Sequence, residues 1–263
     1  MKSSKFSKSY DIVGNIAVID SNPKYAKKLA AQVMKTNKNV ETVLRKGGAI
    51  SGEFRTRKHI YVAGKRNYVA EYKENGCTFK VDLRKCFFST RLAFERQRIT
   101  NLAKDGESVL VMFSGVGPFA IEIAKKNKRS RVIGVELNAD AHEYALKNIA
   151  LNKTPNVTAI NADVKEFAKR NKAIADRIIM PLPMDASNFL DCVYKTAKDG
   201  CTVHYYAFGD TDTVSADECK RLEDYFSKLS SSIKVIGIRK VRPYSSHSIE
   251  IAIDFILHKN AAK

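Results

Sequence analysis

The sequence predicts an α/β fold with a mainly parallel sheet, preceded by a small basic α+β module, and three observations predict it. The apolar run from Val109 to Phe113 enters the turn Ser114-Gly115-Val116-Gly117, and Ala120 to Lys126 then reads as a helix. From there to about residue 230, short apolar strands and helices alternate, as in a parallel sheet covered on both faces. The charge is also divided unevenly. Residues 1–100 hold 22 Lys/Arg against 8 Asp/Glu, and residues 101–263 hold 24 against 20, so most of the net +18 lies ahead of the alternating region.

Taken in order, a basic leader is followed by a strand over Asp11–Ile19 and a helix from Pro23 to about Lys35, with Asn22 as its cap and Pro23 in its first turn. Val40–Leu44 is a short strand broken by Gly47-Gly48. Phe54–Ala63 and Tyr68–Lys73 are further strands, and Asn75-Gly76 is a hairpin turn leading into Thr78–Leu83. The small domain therefore spans residues 1–84 and the second domain 85–263. The latter opens with a helix near Arg91–Ala103. Strands follow at 108–113, 131–136, 156–161, 175–180 and 201–208, with helices near 118–127, 139–152, 164–170, 186–198 and 215–230. Ile233–Val241 and Ser248–Leu257 have no helix between them and close the chain as a hairpin.

Composition excludes several classes. At 44% hydrophobic residues the chain has ample core and no signature of disorder. No run approaches the roughly 18 apolar residues of a membrane span, and the Lys-rich start lacks a signal-peptide core, so a cytoplasmic protein is expected. Cys77, Cys86, Cys192, Cys201 and Cys219 form no Cys-x-x-Cys pair, which supports neither a disulfide framework nor a zinc site, and no metal is expected. The basic excess in a folded segment points to a polyanion, RNA or DNA.

Two glycines in the turn allow positive φ and a close approach of backbone to a ligand. Glu136, about 20 residues further on at the end of the second strand, stands where a ribose-binding carboxylate is expected. The third glycine of a dinucleotide fingerprint is missing, which suits a mononucleoside cofactor.

The sheet, its glycine loop, the acid after the second strand and the closing hairpin resemble class I S-adenosylmethionine-dependent methyltransferases, with a Rossmann-like domain. The likeness narrows with Ser51-Gly52-Glu53-Phe54-Arg55, Lys73-Glu74-Asn75-Gly76-Cys77, Phe87 through Arg96, Phe113 through Phe119, Met180-Pro181-Leu182-Pro183 and His204-Tyr205-Tyr206. These motifs, in this order over about residues 10–257, resemble the archaeal and eukaryotic tRNA (guanine-37-N1)-methyltransferases. The resemblance implies methyl transfer from S-adenosylmethionine to a guanosine of the tRNA anticodon stem-loop by a monomer. It also implies that the extra N-terminal tRNA-elbow domain of many relatives is lacking.

The resemblance assigns roles. Glu95 matches the base that takes the N1 proton, and Arg55 the arginine that stabilises charge developing on O6. Phe87, Arg91, Phe113, Ser114, Gly115, Glu136, Leu137, Asp163, Val164 and Pro181 are expected around the cofactor, with Pro181 also at the reaction centre. Spacing alone supports plainer roles: Glu95 pairing with Arg91 or Arg98, Arg55 as one cation of a basic strand, and Asp163 as a helix cap. Pro181 stands where many members have asparagine, and Phe87 where many have tyrosine. Both changes resemble an archaeal subgroup that also methylates C7 of a tricyclic wyosine intermediate. Two rivals remain: an aminocarboxypropyl transferase of the wyosine pathway, and a non-catalytic RNA-binding protein that keeps the fold. Arg239, Lys240, Arg242 and Tyr244 combine cations with an aromatic, as RNA-contacting loops do.

Overall fold

The computed structural model describes residues 9–49, 52 and 54–259. The basic leader and Ser51 and Glu53 of the Ser51–Arg55 motif lie outside the described residues. The chain begins with β1 (Tyr10–Val13), β2 (Ile16–Ile19), α1 (Pro23–Thr36), β3 (Thr42–Lys46) and β4 (His59–Gly64), which form one sheet in the order β1-β2-β3-β4. Strands β2 and β3 are parallel and α1 crosses between them, burying Ala26, Leu29, Ala30 and Val33. Asn22 caps α1 by accepting from the Lys24 amide at 3.0 Å. The single strand expected over Asp11–Ile19 is instead two antiparallel strands turning at Gly14-Asn15. Gly14 has φ +56°, and a Cβ there would lie 1.8 Å from the Glu71 carbonyl oxygen, so only glycine fits. The strand expected from Phe54 starts only at His59, because Arg55 has φ +51° and turns the chain.

β5 (Val69–Glu74) and β6 (Cys77–Asp82) form a hairpin whose two turn residues, Asn75 at φ +46° and Gly76 at φ +74°, suit a two-residue turn. The outer edge of β6 is closed by side chains. Asn152, on α4 (Ala139–Asn152), accepts from the Thr78 amide at 2.9 Å and donates to its carbonyl at 2.7 Å. Asn148 treats Lys80 in the same way at 2.8 and 3.1 Å and also donates to the Val116 carbonyl in the glycine turn. Two buried amides thus act as a strand for the hairpin and tie it to the turn.

After a 3-10 turn at Thr90–Leu92 come α2 (Ala93–Leu102), β7 (Ser108–Met112), α3 (Pro118–Lys126) and β8 (Arg131–Glu136), then α4, β9 (Val157–Asn161), α5 (Val164–Arg170) and β10 (Ala175–Met180). The chain continues with α6 (Leu190–Thr196), β11 (Ala197–Asp210), α7 (Val214–Ser227), β12 (Ser231–Pro243) and β13 (Ser248–Lys259). The helix expected over 186–198 is a 3-10 turn followed by the short α6, and its last residues belong to β11. The sheet runs β12-β13-β11-β10-β7-β8-β9, with β7 to β11 mutually parallel and β13 antiparallel to both its neighbours. Its order reverses between β7 and β10, and the crevice at the carboxyl ends of such strands is where α/β sheets bind ligands. Among the described residues no helix is long and apolar enough to cross a membrane.

A buried ionic cluster joins the hairpin to this domain. Arg96 of α2 donates from Nη2 to Glu74 Oε2 at 2.6 Å, and its Nε lies 2.6 Å from Glu74 Oε1 without hydrogen-bond alignment and 3.7 Å from Glu122 Oε1 of α3. One cation serves two carboxylates, so burial and the Glu74 charge push the Glu122 pKa up to about 8. A raised carboxyl pKa means stability that is complete below the ordinary value of 4.5 and lost as pH climbs through about 8. Glu122→Gln keeps the acceptor for Asn75 Nδ2, now 2.8 Å from Glu122 Oε2, and mimics the protonated acid. Its denaturation midpoint is expected to change less between pH 5 and 8 than that of the parent chain. Parallel curves would show that Glu122 is already ionised at pH 5.

Candidate active site

The cofactor-type site lies at the carboxyl ends of β7 and β8. The Ser114 amide bonds the Val135 carbonyl at 3.0 Å, carrying the turn across to β8. Phe113 has φ +55° and Gly115 φ +57°, and a Cβ added to Gly115 would meet no atom within 4 Å, so the turn presents an open outer face. Glu136 folds back under it: Oε2 accepts from the Gly115 amide at 2.7 Å and Oε1 from the Asn138 amide at 2.8 Å. Each oxygen keeps a second lone pair, which is what two vicinal ribose hydroxyls need. Burial raises the Glu136 pKa, opposed by these backbone bonds.

Leu137, 41% exposed, flanks the site. Asp163 accepts from the Lys165 amide at 2.6 Å and caps α5, whose first residue Val164 is buried. Pro181 follows β10 and is partly buried. The Phe113 ring meets Phe189 edge-on at 4.7 Å. Phe189 had no motif to mark it in the sequence; it reaches the site because the 3-10 turn after β10 folds over the sheet. The glycine turn, the acid and the apolar wall fit an adenosine-type cofactor.

Glu136→Ala removes the acceptor of two backbone amides. It is expected to weaken S-adenosylmethionine binding about 10–100-fold, measured by calorimetry. Unchanged affinity would remove Glu136 from the site.

A pocket of about 300 Å³ opens between the first sheet and the end of β12. It collects Arg55, Phe87, Arg91, Arg242 and Tyr244, five of the residues singled out by sequence, with Lys46 and His59. The Arg55 guanidinium lies 5.3 Å from the Phe87 ring centre, and its buried Nε has no hydrogen-bond partner among the described residues. Tyr244, 56% exposed, stacks on Phe208 at 4.2 Å and forms an aromatic wall. Arg91 is bound not to Glu95 but to Asp11, at 2.7 Å. Asp11, Lys46 and His59 come from three strands far apart in sequence, so no local pattern marked them.

Glu95 is not among the residues lining this pocket; it lies in the first turn of α2 and is 4% exposed. Its Oε1 accepts from Tyr206 Oη at 2.6 Å and Arg98 Nη2 at 2.7 Å, and its Oε2 from Arg98 Nε at 3.0 Å. Arg239 Nε of β12 stands 3.7 Å from Oε2. Of the two partners that spacing allowed, Arg98 is the one used. Burial, and then the Glu95 charge, lift the Tyr206 pKa well above its ordinary value, so the phenol is a fixed donor.

The TRM5/TYW2 methyltransferase domain matches residues 70–236, and the TYW2 N-terminal domain matches residues 2–67. The chain is 40% identical over 250 residues to the tRNA (guanine(37)-N(1))-methyltransferase Trm5b of Pyrococcus abyssi, covering 94% of this chain and 74% of that protein. The crystal structure of Trm5b superposes with a TM-score of 0.86 at 39% identity, covering 95% of this chain and 75% of that one. The tRNA 4-demethylwyosine(37)-methyltransferase Taw21 of Saccharolobus solfataricus is 30% identical over 251 residues, 92% of each chain. TYW2 of P. horikoshii in complex with MeSAdo superposes with a TM-score of 0.84 at 25% identity, covering 97% of this chain and 92% of that one.

Proposed function

Because the chain belongs to the TRM5/TYW2 methyltransferase family, we propose that it methylates N1 of guanosine 37 in tRNA with S-adenosylmethionine as donor. The observation that carries this reading is a buried carboxylate, Glu95, held by Arg98 and Tyr206 on the helix that follows the Phe87–Arg91 wall of a cationic and aromatic pocket.

When bound, the cofactor supplies an electrophilic methyl group on its sulfonium. Glu136 accepts the ribose hydroxyls, the Gly115 turn lies against the nucleoside, and Phe113, Ser114, Leu137, Asp163, Val164 and Pro181 shape the rest of the site. The target base leaves its stack to enter the pocket. Oε2 of Glu95 is the less occupied oxygen, with one hydrogen bond from Arg98 against two donors, Arg98 and Tyr206, on Oε1, and it receives the N1 proton. Arg55 donates to O6 as charge develops there. Phe87 and Arg91, expected around the cofactor, line the pocket that holds Arg55. Pro181 has no side-chain amide and no backbone donor, and it offers only its carbonyl and its shape.

The same proposal has residues 1–84 binding the anticodon stem-loop and residues 85–263 binding the donor, in a chain that acts as a monomer in the cytoplasm. The +14 balance of residues 1–100 supports the first part.

The proposal is tested with transcripts carrying guanosine or adenosine at position 37 and donor labelled in the methyl group. Label should enter only the guanosine transcript; equal incorporation would place the target elsewhere.

A second reading is favoured by Phe87 and Pro181, whose side chains offer no hydrogen-bonding group, and by a match along 92% of the length of Taw21. In it the chain also methylates C7 of 4-demethylwyosine at the same position. Activity on guanosine alone, in parallel assays with both tRNAs, would sink it.

A further inference from the structure

Beyond Glu95 runs a line of buried and partly buried ionisable groups that lies outside both the glycine-turn site and the pocket of Arg55. Arg98 grips Glu95 with Nε and Nη2, and its remaining reach goes to Asp254 of β13, through Nη1 to Oδ2 and Nη2 to Oδ1. Asp254 pairs directly across the sheet with His204 of β11, whose Nδ1 is 2.6 Å from Oδ1. His204 Nε2 stands 2.7 Å from Nη1 of Arg177, on β10. Arg177 is held in turn by Glu107, at 2.7 and 3.0 Å, and by the Leu102 carbonyl at 3.0 Å. His204 has no exposed surface, Arg177 is 3% exposed and Asp254 is 7% exposed.

The partners settle the imidazole. Arginine offers only donors, so Nε2 must accept and the ring proton sits on Nδ1, donating to Asp254. Burial drives the His204 pKa down, which agrees with a neutral ring. Burial alone would raise the Asp254 carboxyl, but the hydrogen bonds from His204 and Arg98 overcome it and hold the pKa at about 2. Asp254 is therefore a permanent anion, and Arg98 a cation shared between two carboxylates.

We propose that Asp254, oriented by His204, is a positioning residue for methyl transfer: it takes part of the Arg98 charge, so that Arg98 fixes Glu95 in place without abolishing its capacity to accept the N1 proton. This rests on the assignment of Glu95 as the base. The groups facing Glu95 are Arg98 on its own helix, Tyr206 from β11, Arg239 from β12 and, through Arg98, Asp254 from β13. Without the Asp254 anion the Arg98 charge falls wholly on Glu95, and proton transfer to it becomes harder.

Asp254→Asn is the test, with kcat, both KM values and the pH–rate profile measured beside those of Glu95→Gln. The expected result is a 10- to 100-fold lower kcat, KM for tRNA and donor within threefold of the parent, and an acidic limb of the kcat profile moved to lower pH. His204→Ala should lose kcat in the same way, and His204→Asn, whose amide can replace the Nδ1 donor, should regain at least tenfold of that loss. Those two variants also serve if Asp254→Asn does not fold. Parent-like kcat and acidic limb in Asp254→Asn and His204→Ala, with Glu95→Gln inactive, would overturn the positioning role alone. Higher KM with unchanged kcat would make the line a scaffold for substrate binding and overturn it too. Parent-like rates in Glu95→Gln would overturn the base assignment and this inference with it.

Discussion

Glu95→Gln is expected to lower the methyl-transfer rate about 10²–10⁴-fold while leaving tRNA and donor affinity within a few-fold of the parent. The amide keeps the shape of the carboxylate and can still accept from Tyr206, but it cannot take up the N1 proton. Arg98 retains Asp254, so the guanidinium is not left uncompensated. The structural loss should therefore be small beside the chemical one: about 1–3 kcal/mol for a weakened buried charge pair. Single-turnover rates at saturating tRNA and donor separate the two. A parent-like single-turnover rate would remove Glu95 from the chemistry.

Arg96→Leu is expected to have the largest effect on stability. The guanidinium is 2% exposed, lies 5.1 Å from the Phe88 ring centre and serves both Glu74 and Glu122, while its Nη2 also donates to the Ser89 carbonyl at 3.1 Å. Its removal strands two buried carboxylates and should cost about 3–5 kcal/mol. The loss should shrink in acid, where the stranded carboxylates become protonated, and adding Glu122→Gln should recover part of it at neutral pH. Chemical denaturation at pH 5 and pH 8 measures this. A loss below about 1 kcal/mol at pH 8 would mean that the cluster rearranges at little cost.

Local patterns revealed much of the large sheet, because an apolar strand, a glycine turn and a helix each leave a signal a few residues long. Glu136 was legible through its distance from Gly115 and is found bonded to that residue's amide. The first sheet was harder to read. Asp11–Ile19 looks like one strand until Gly14 is seen pressed against the Glu71 carbonyl, a contact 57 residues away that no local window contains. The pocket beside the first sheet poses the same difficulty: Asp11, Lys46 and His59 converge only through the strand order of that sheet. Asn148 and Asn152 read as ordinary polar helix residues, yet they supply the edge partner that β6 lacks. Arg98 was visible as one helical neighbour of Glu95, but its second partner lies 156 residues on, in the last strand.

The central claim is that this pocket methylates guanosine 37 at N1, and nucleoside mass spectrometry of tRNA after incubation with S-adenosylmethionine tests it most directly. The predicted result is 1-methylguanosine at position 37, one methyl group heavier than the starting base. An aminocarboxypropyl adduct, or bound donor with no modified nucleoside, would contradict it.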